Sequence, residues 1–270
     1  MKVRHLVLPF AALLAAAPVA AQTAPIHLDL NIPARQLLVY EGDQIVRTFP
    51  VAVGMPGHAT PTGDYSIRVA EWNPSWHPPE SEWAKDDKIT PPGPNNPMGK
   101  VKLSFSTYYY IPGNPDDASI GRPASHGCVR MHNRDAVALA RMLQGVAAPQ
   151  VSPALMDRLL SSWRDTRRIA FQSAIPLHVH YDPVVVRDGE VHVYPDIYDF
   201  NALHSEAVYQ ALIAAGYDAR LVDPADVDRL VKEAKGSKKG ITVSVQKAFG
   251  SAVAASASAP RGTTVATPAA

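Results

Sequence analysis

Residues 26–32 alternate without a break, with Ile26, Leu28, Leu30 and Ile32 on one side and His27, Asp29 and Asn31 on the other. A period of two belongs to a half-buried strand and is incompatible with a helix. Other strand signals follow downstream. Leu37–Tyr40 and Ile45–Val53 flank a Glu41-Gly42-Asp43 turn and read as a hairpin. Thr60-Pro61-Thr62-Gly63 reads as a turn leading into a strand from Asp64 to Glu71. Val101–Ile111 is rich in tyrosine and β-branched side chains and predicts another strand. Between these two, residues 72–99 hold seven prolines and two glycines. They predict a long, ordered loop, and a loop of that length in a compact domain usually has a function.

Helical signals start only at Asn133, which reads as the N-cap of a helix over 134–143 with Gly145 as its stop. Ser152-Pro153 opens a second helix running to Trp163. Leu177–Val186 and Val191–Tyr194 predict strands around the Arg187-Asp188-Gly189-Glu190 turn. Further helices are expected near 202–215 and 225–234. From Ser251 onward the chain is mostly Ala, Ser, Thr and Pro, too poor in large apolar side chains to order itself. The expected organisation is a mainly β domain at 22–145, a smaller α+β extension at 146–250 and a disordered tail at 251–270.

The first 21 residues read as a secretion signal. Lys2 and Arg4 precede an apolar run from Leu6 to Ala17, and Val19-Ala20-Ala21 supplies small residues before a cut at Gln22. A membrane anchor is the alternative, but the run is short for a bilayer and Pro9 and Pro18 interrupt it. The expected location is the periplasm, with no membrane anchor once the signal is cut. Loss of Lys2 and Arg4 takes the formal charge from +1 to −1. No basic stripe argues for a nucleic-acid partner. The apolar fraction of 46% is ample for a core.

The chain has one cysteine, so no internal disulfide can form. In an oxidising compartment a lone thiol is either buried as a small hydrophobe or kept for its chemistry. Its neighbours favour chemistry. Ser125-His126-Gly127-Cys128-Val129-Arg130 packs a thiol, a hydroxyl, an imidazole, a guanidinium and a glycine into six residues. A nucleophilic thiol needs support for its anionic form and donors for a developing oxyanion. Gly127 allows close approach of the backbone, and the N–H groups of Gly127 and Cys128 are candidate donors. Arg130 adds positive potential for a thiolate and an anionic substrate. His132 reads as a surface residue at a helix start, His77 as a solvated loop residue, and His178 and His180 as ordinary strand residues. A zinc site from His126, Cys128 and His132 fits no structural zinc spacing; no metal or cofactor is expected. Trp72, Trp76 and Trp83 suit loop anchors and substrate walls equally.

This segment resembles the signature of the L,D-transpeptidase (YkuD-type) catalytic domain family. Thr60-Pro61-Thr62-Gly63, Asn73-Pro74-Ser75-Trp76, Pro92-Gly93-Pro94-Asn95-Asn96-Pro97-Met98-Gly99 and Ile120-Gly121 look like further landmarks of that family, in its order. The stretch Ile175–Asp199 is similar to an extension that often follows the catalytic domain. The resemblance implies an L,D-transpeptidase-type β-sandwich and a monomeric cysteine acyltransferase acting on peptidoglycan stem peptides. By the same resemblance Cys128 is the nucleophile, Gly127 and Cys128 line the oxyanion hole, and Ser125, His126 and Arg130 shape the site.

One departure matters. The family carries a His-Gly pair upstream whose histidine is the general base. Here the matching stretch is Tyr110-Ile111-Pro112-Gly113-Asn114, with Pro112 in the histidine's place. Three readings follow: His126 serves as base, or Arg130 and a helix N-terminus support a thiolate without one, or the protein binds peptidoglycan without turning it over. A cysteine L,D-carboxypeptidase or endopeptidase using water as acceptor is a further alternative.

Overall fold

The structure, a computed structural model, describes residues 25–257. The expected signal segment 1–21 and most of the expected tail lie outside the described residues. The chain opens with β1 (Ile26–Asn31), β2 (Gln36–Glu41), β3 (Gln44–Pro50), β4 (Val53–Gly54) and β5 (Gly63–Trp72). After the long loop come β6 (Val101–Ser104), β7 (Tyr110–Asn114), β8 (Pro123–Ser125) and β9 (Met131–His132). Helices α1 (Asn133–Ala147) and α2 (Pro153–Ser161) lead into β10 (Arg167–His180). Then follow β11 (Val184–Arg187), β12 (Glu190–Val193), α3 (Ser205–Ala214), α4 (Pro224–Lys235), β13 (Ile241–Ser244), α5 (Val245–Phe249) and α6 (Ser251–Ala255).

The main sheet has eight strands in the order β3-β2-β1-β10-β5-β6-β7-β9. The fold is therefore mainly β and sandwich-like, with a smaller α+β unit after it, as the patterning predicts. Leu28, Leu30, Leu37, Val39, Ile67 and Leu103 are fully or almost fully buried in one core, which α1 covers with Ala136, Leu139, Ala140 and Leu143. Each such aliphatic side chain contributes about 1.5–3 kcal/mol on leaving water. A second core, around Val191, Val193, Val208, Leu212 and Val227, holds β11–β13 and the last helices together.

Five expectations are corrected. The boundary at 145 does not divide the fold, because β10 lies beyond it and is a central strand of the main sheet, parallel to β1 and antiparallel to β5. Ile175, Leu177 and Val179 bury one face of β10, so the strand belongs to the first core. The run Leu177–Val186 is accordingly two strands, broken after His180. Val101–Ile111 is a hairpin whose two strands pair antiparallel, because the aromatic residues at its centre form the turn. Finally, Asn133 does not cap α1. His132 occupies the N-cap position, and Asn133 Oδ1 accepts the Lys100 N–H at 2.9 Å instead. Residues Ser251–Ala255 form α6 rather than the start of a disordered tail.

His178 and His180 are more than ordinary strand residues. His178 Nδ1 lies 2.6 Å from Asp64 Oδ1. His180 is held between two carboxylates, Asp182 at 2.7 Å and Asp29 at 2.9 Å, and ties β10 to β1. Burial alone would lower its pKa, but the two carboxylates outweigh burial and push it up to about 9 from 6.5. A raised pKa stabilises the fold fully below the unfolded value near 6.5 and loses that contribution as the pH rises through 9. The contribution is about 3 kcal/mol. Thermal melting between pH 6 and pH 10 (about the range that brackets this titration) is expected to show declining stability. His180→Ala is expected to melt lower at neutral pH and to flatten that decline; an unchanged pH profile in the variant would remove His180 as its source.

Candidate active site

The Cys128 segment is pinned on two sides. On one side Met55 N–H donates to Ser125 O at 2.9 Å, and Ala52 and Arg130 exchange backbone hydrogen bonds at 2.8 and 2.9 Å. On the other, Val129 N–H donates to Tyr110 O at 3.0 Å, fixing the segment to β7. Between these anchors the chain makes a tight turn. Ser125, fully buried, closes it: its Oγ donates to Cys128 O at 2.6 Å and accepts the Gly127 N–H at 3.1 Å. Gly127 sits at φ 108°, a conformation natural only to glycine. A Cβ there would lie 2.6 Å from Tyr109 Cε1. The turn thus demands both its serine and its glycine.

This assigns the two expected oxyanion donors differently. The Gly127 N–H is spent on Ser125 Oγ. The Cys128 N–H makes no hydrogen bond among the described residues and is the donor left free. The Cys128 thiol is half-buried and lies 4.0 Å from Tyr108 O. Burial pushes its pKa up, while a backbone hydrogen bond from Tyr110 and the charges of Arg130 and Lys102 pull it down. The balance is upward, so the thiol is protonated at rest.

His126 makes no hydrogen bond to the sulfur among the described residues. Its ring stacks flat on Trp83, with centroids 3.9 Å apart, and meets His58 edge-on at 4.6 Å. Burial, then His58, then Arg130 lower its pKa, which favours the neutral imidazole. Arg130 Nε is buried without a hydrogen-bond partner, a donor ready for an incoming acceptor. Of the other candidates, His132 pairs with Asp117 at 2.5 Å and His77 is exposed on the loop. Trp72 is a core residue bonded to Gln144 Oε1 at 2.8 Å. Trp76 bridges Thr90 within the long loop, and Trp83 alone of the three reaches the site.

Several residues escaped the sequence reading. Thr60, read as part of a turn and of a family landmark but given no role at the site, is buried, and its Oγ1 donates to Gly127 O at 2.9 Å while accepting the Gly54 N–H at 2.9 Å. Tyr198, far along the chain, donates to Gly54 O at 2.8 Å and accepts the Thr60 N–H at 3.2 Å. Behind it, Tyr181 Oη accepts the Tyr198 N–H at 2.9 Å and donates to Asp196 Oδ1 at 2.6 Å. A chain of polar contacts therefore runs from Asp196 through Tyr181, Tyr198 and Thr60 to the Cys128 turn. No local pattern reveals it, because its members are separated by up to 138 residues.

The model of the L,D-transpeptidase catalytic domain matches residues 25–186. The "Putative L,D-transpeptidase YkuD" of Bacillus licheniformis is 32% identical over 132 residues, covering 48% of this chain and 68% of that protein. Its namesake in Bacillus subtilis is 33% identical over 122 residues, covering 45% and 62%. Among solved structures, an L,D-transpeptidase from Mycobacterium smegmatis is 15% identical, covers 58% of this chain and 59% of that one, and has a TM-score of 0.38.

Tyr198→Phe keeps the ring but leaves the Thr60 N–H and Gly54 O without a partner. Stranding buried polar groups costs about 1–3 kcal/mol. Denaturant unfolding of the variant is expected to show a loss of that size, and a midpoint equal to wild type would mean that the hydroxyl contributes nothing to the turn.

Proposed function

The chain belongs to the L,D-transpeptidase catalytic domain family, and from that premise we propose that it is a periplasmic cysteine acyltransferase that cross-links peptidoglycan stem peptides through Cys128. The observation that carries this reading is the Ser125–Arg130 turn. It presents a half-buried thiol, a free Cys128 N–H and an unpartnered Arg130 Nε on one short segment. Cys128 Sγ attacks the carbonyl carbon of the third stem residue, with the Cys128 N–H donating to the oxyanion. The bond to the fourth residue, D-Ala, breaks. Its nitrogen takes the proton that left the thiol, and D-Ala departs as an amine. The thioester then yields to the amine of a second stem, which forms the new amide and returns a proton to the sulfur.

His126 is the proposed carrier of that proton. A base must be neutral to accept one, and burial and the charges around His126 favour that form. In the structure its ring stacks on Trp83, and free enzymes commonly align such catalytic contacts only on binding substrate. Arg130 is proposed to take a substrate carboxylate. Ser125 and Gly127 hold the turn. The enzyme acts as a monomer after removal of residues 1–21; among the described residues no helix is long and apolar enough to cross a membrane.

Pro112 favours a second reading, in which the protein binds peptidoglycan without acting on it. Intact-mass measurement with a carbapenem separates the two, since a covalent adduct requires a reactive thiol. Cys128→Ala is expected to abolish both the adduct and muropeptide remodelling, because the chain has no other cysteine. Remodelling at the wild-type rate by that variant would rule out the cysteine mechanism. His126→Ala is expected to lose about 10²–10⁴-fold in rate while folding normally. A protein that neither acylates nor cross-links until Pro112→His is introduced is a binding protein, not an enzyme.

A further inference from the structure

Four strands of the main sheet place a single row of residues side by side. Arg168 on β10 pairs with Glu71 on β5, Glu71 pairs with Lys102 on β6, and Lys102 pairs with Pro112 on β7. Directly paired residues share one face of a sheet. The contacts follow the register. Lys102 Nζ lies 3.4 Å from Glu71 Oε1, and Arg168 Nε lies 4.0 Å from Glu71 Oε2. The side chains of Lys102 and Glu71 are only 14% and 13% exposed. The row therefore carries charges of plus, minus and plus, and ends at a residue with no charge and no proton to exchange.

The row runs up to β7, the strand to which the Cys128 turn is anchored. Tyr110 stands two residues from Pro112, on the same side of β7, and Lys102 Nζ lies 4.9 Å above its ring centroid. Tyr110 in turn accepts the Val129 N–H through its carbonyl. A sheltered Lys–Glu pair is weak evidence of a contribution to stability, since apolar residues of the same size often serve as well. Its position calls for another explanation.

Resting on the cysteine reading above, we propose that Lys102 is a positioning residue for Cys128: its ammonium, oriented by Glu71 and by the Tyr110 ring, supplies the fixed positive charge that steadies the sulfur anion during acyl transfer, on the face where Pro112 offers nothing. It acts by charge alone and accepts no proton, because an ammonium has no lone pair to take one. Glu71 orients it and damps it. Arg168, more exposed, balances Glu71 from the far side. The groups acting on the sulfur are then Lys102 from β6, Arg130 from the turn and the Tyr110 amide from β7. Tyr110 is the further titratable neighbour, with Glu71 and Arg168 behind it, and His126 and His58 lie on the side of Arg130.

The test uses the single cysteine. Iodoacetamide alkylation of the mature protein, followed by intact mass across pH, reads the thiol of Cys128 and nothing else. Lys102→Met is expected to move the alkylation midpoint upward and to slow the reaction at neutral pH about three- to tenfold, the span of one pKa unit damped by the greater nucleophilicity of the more basic thiolate. Lys102→Arg keeps the charge and is expected to restore most of the rate. Glu71→Gln removes the damping anion and is expected to shift the midpoint downward. A merely structural role would not give shifts of opposite sign. If Lys102→Met folds as wild type and its midpoint is unchanged, the proposal is overturned. If Lys102→Met fails to melt cooperatively, Glu71→Gln decides: a lower midpoint supports the proposal and an unchanged one overturns it. The carbapenem adduct, measured on the same samples, keeps the two readings apart. A wild-type protein that alkylates with these shifts but never acylates refutes transpeptidation and leaves Lys102 in its role. Normal acylation with an unmoved midpoint does the reverse.

Discussion

The Ser125 hydroxyl is the contact on which the site depends. It is fully buried, it donates to Cys128 O, and it accepts the Gly127 N–H. Those two bonds close a turn that glycine alone can complete at φ 108°. The turn decides which backbone donor is free. With the Gly127 N–H engaged, the Cys128 N–H is the backbone donor of the turn left without a partner among the described residues. The rest of the fold serves this arrangement from two directions. The strand ladders bring β7 and the Ala52–Met55 segment against the turn, and the Thr60 hydroxyl holds Gly127 O from behind.

The segment after the central strand has a structural role in the site. Tyr198 reaches back to Gly54 and Thr60, and Tyr181 and Asp196 hold Tyr198. Tyr181 is held above its usual range by burial and by the Asp196 carboxylate, so its hydroxyl stays a donor. Residues around 181–200 are thus the outer brace of a turn more than fifty residues upstream. That brace depends on β10. Only because β10 runs between β1 and β5 does the chain emerge where Tyr181 and Tyr198 can touch the first core.

Much of this was legible in the sequence, and the failures have physical causes. Alternation gave β1, because one face of it is buried against the core, and turn residues between apolar runs gave the β2–β3 hairpin and the start of β5. The Ser125–Arg130 cluster was legible because its residues are adjacent in the chain. The Val101–Ile111 hairpin was missed because its aromatic centre has the composition of a strand while its backbone turns. β10 was missed as a member of the first domain because its partners lie up to 151 residues away, beyond any local period. Thr60, Tyr198 and Lys102 were missed for the same reason: hydroxyls and an ammonium acquire meaning only from neighbours that the fold supplies.

Position 112 shows how chemistry and scaffold separate. A proline there removes a backbone donor and any side-chain proton, yet the backbone path is set by its neighbours. A Cβ on Gly113 would meet Asn133 Oδ1 at 2.3 Å, and one on Gly99 would meet Asn133 Oδ1 at 2.2 Å and Gly113 C at 2.5 Å. Asn133 Oδ1 cannot withdraw, because it accepts the Lys100 N–H. Two glycines and one asparagine thus lock β7 against the loop and α1 whatever residue stands at 112. The backbone path is thus indifferent to the residue at 112, and a proline there brings no titratable group to the face it shares with Lys102. Burial raises the Cys128 thiol, and the Tyr110 amide, Arg130 and Lys102 act against it. Arg130 belongs to the turn and the Tyr110 amide to the strand that anchors it, whereas Lys102 stands one strand further away and is paired with Pro112.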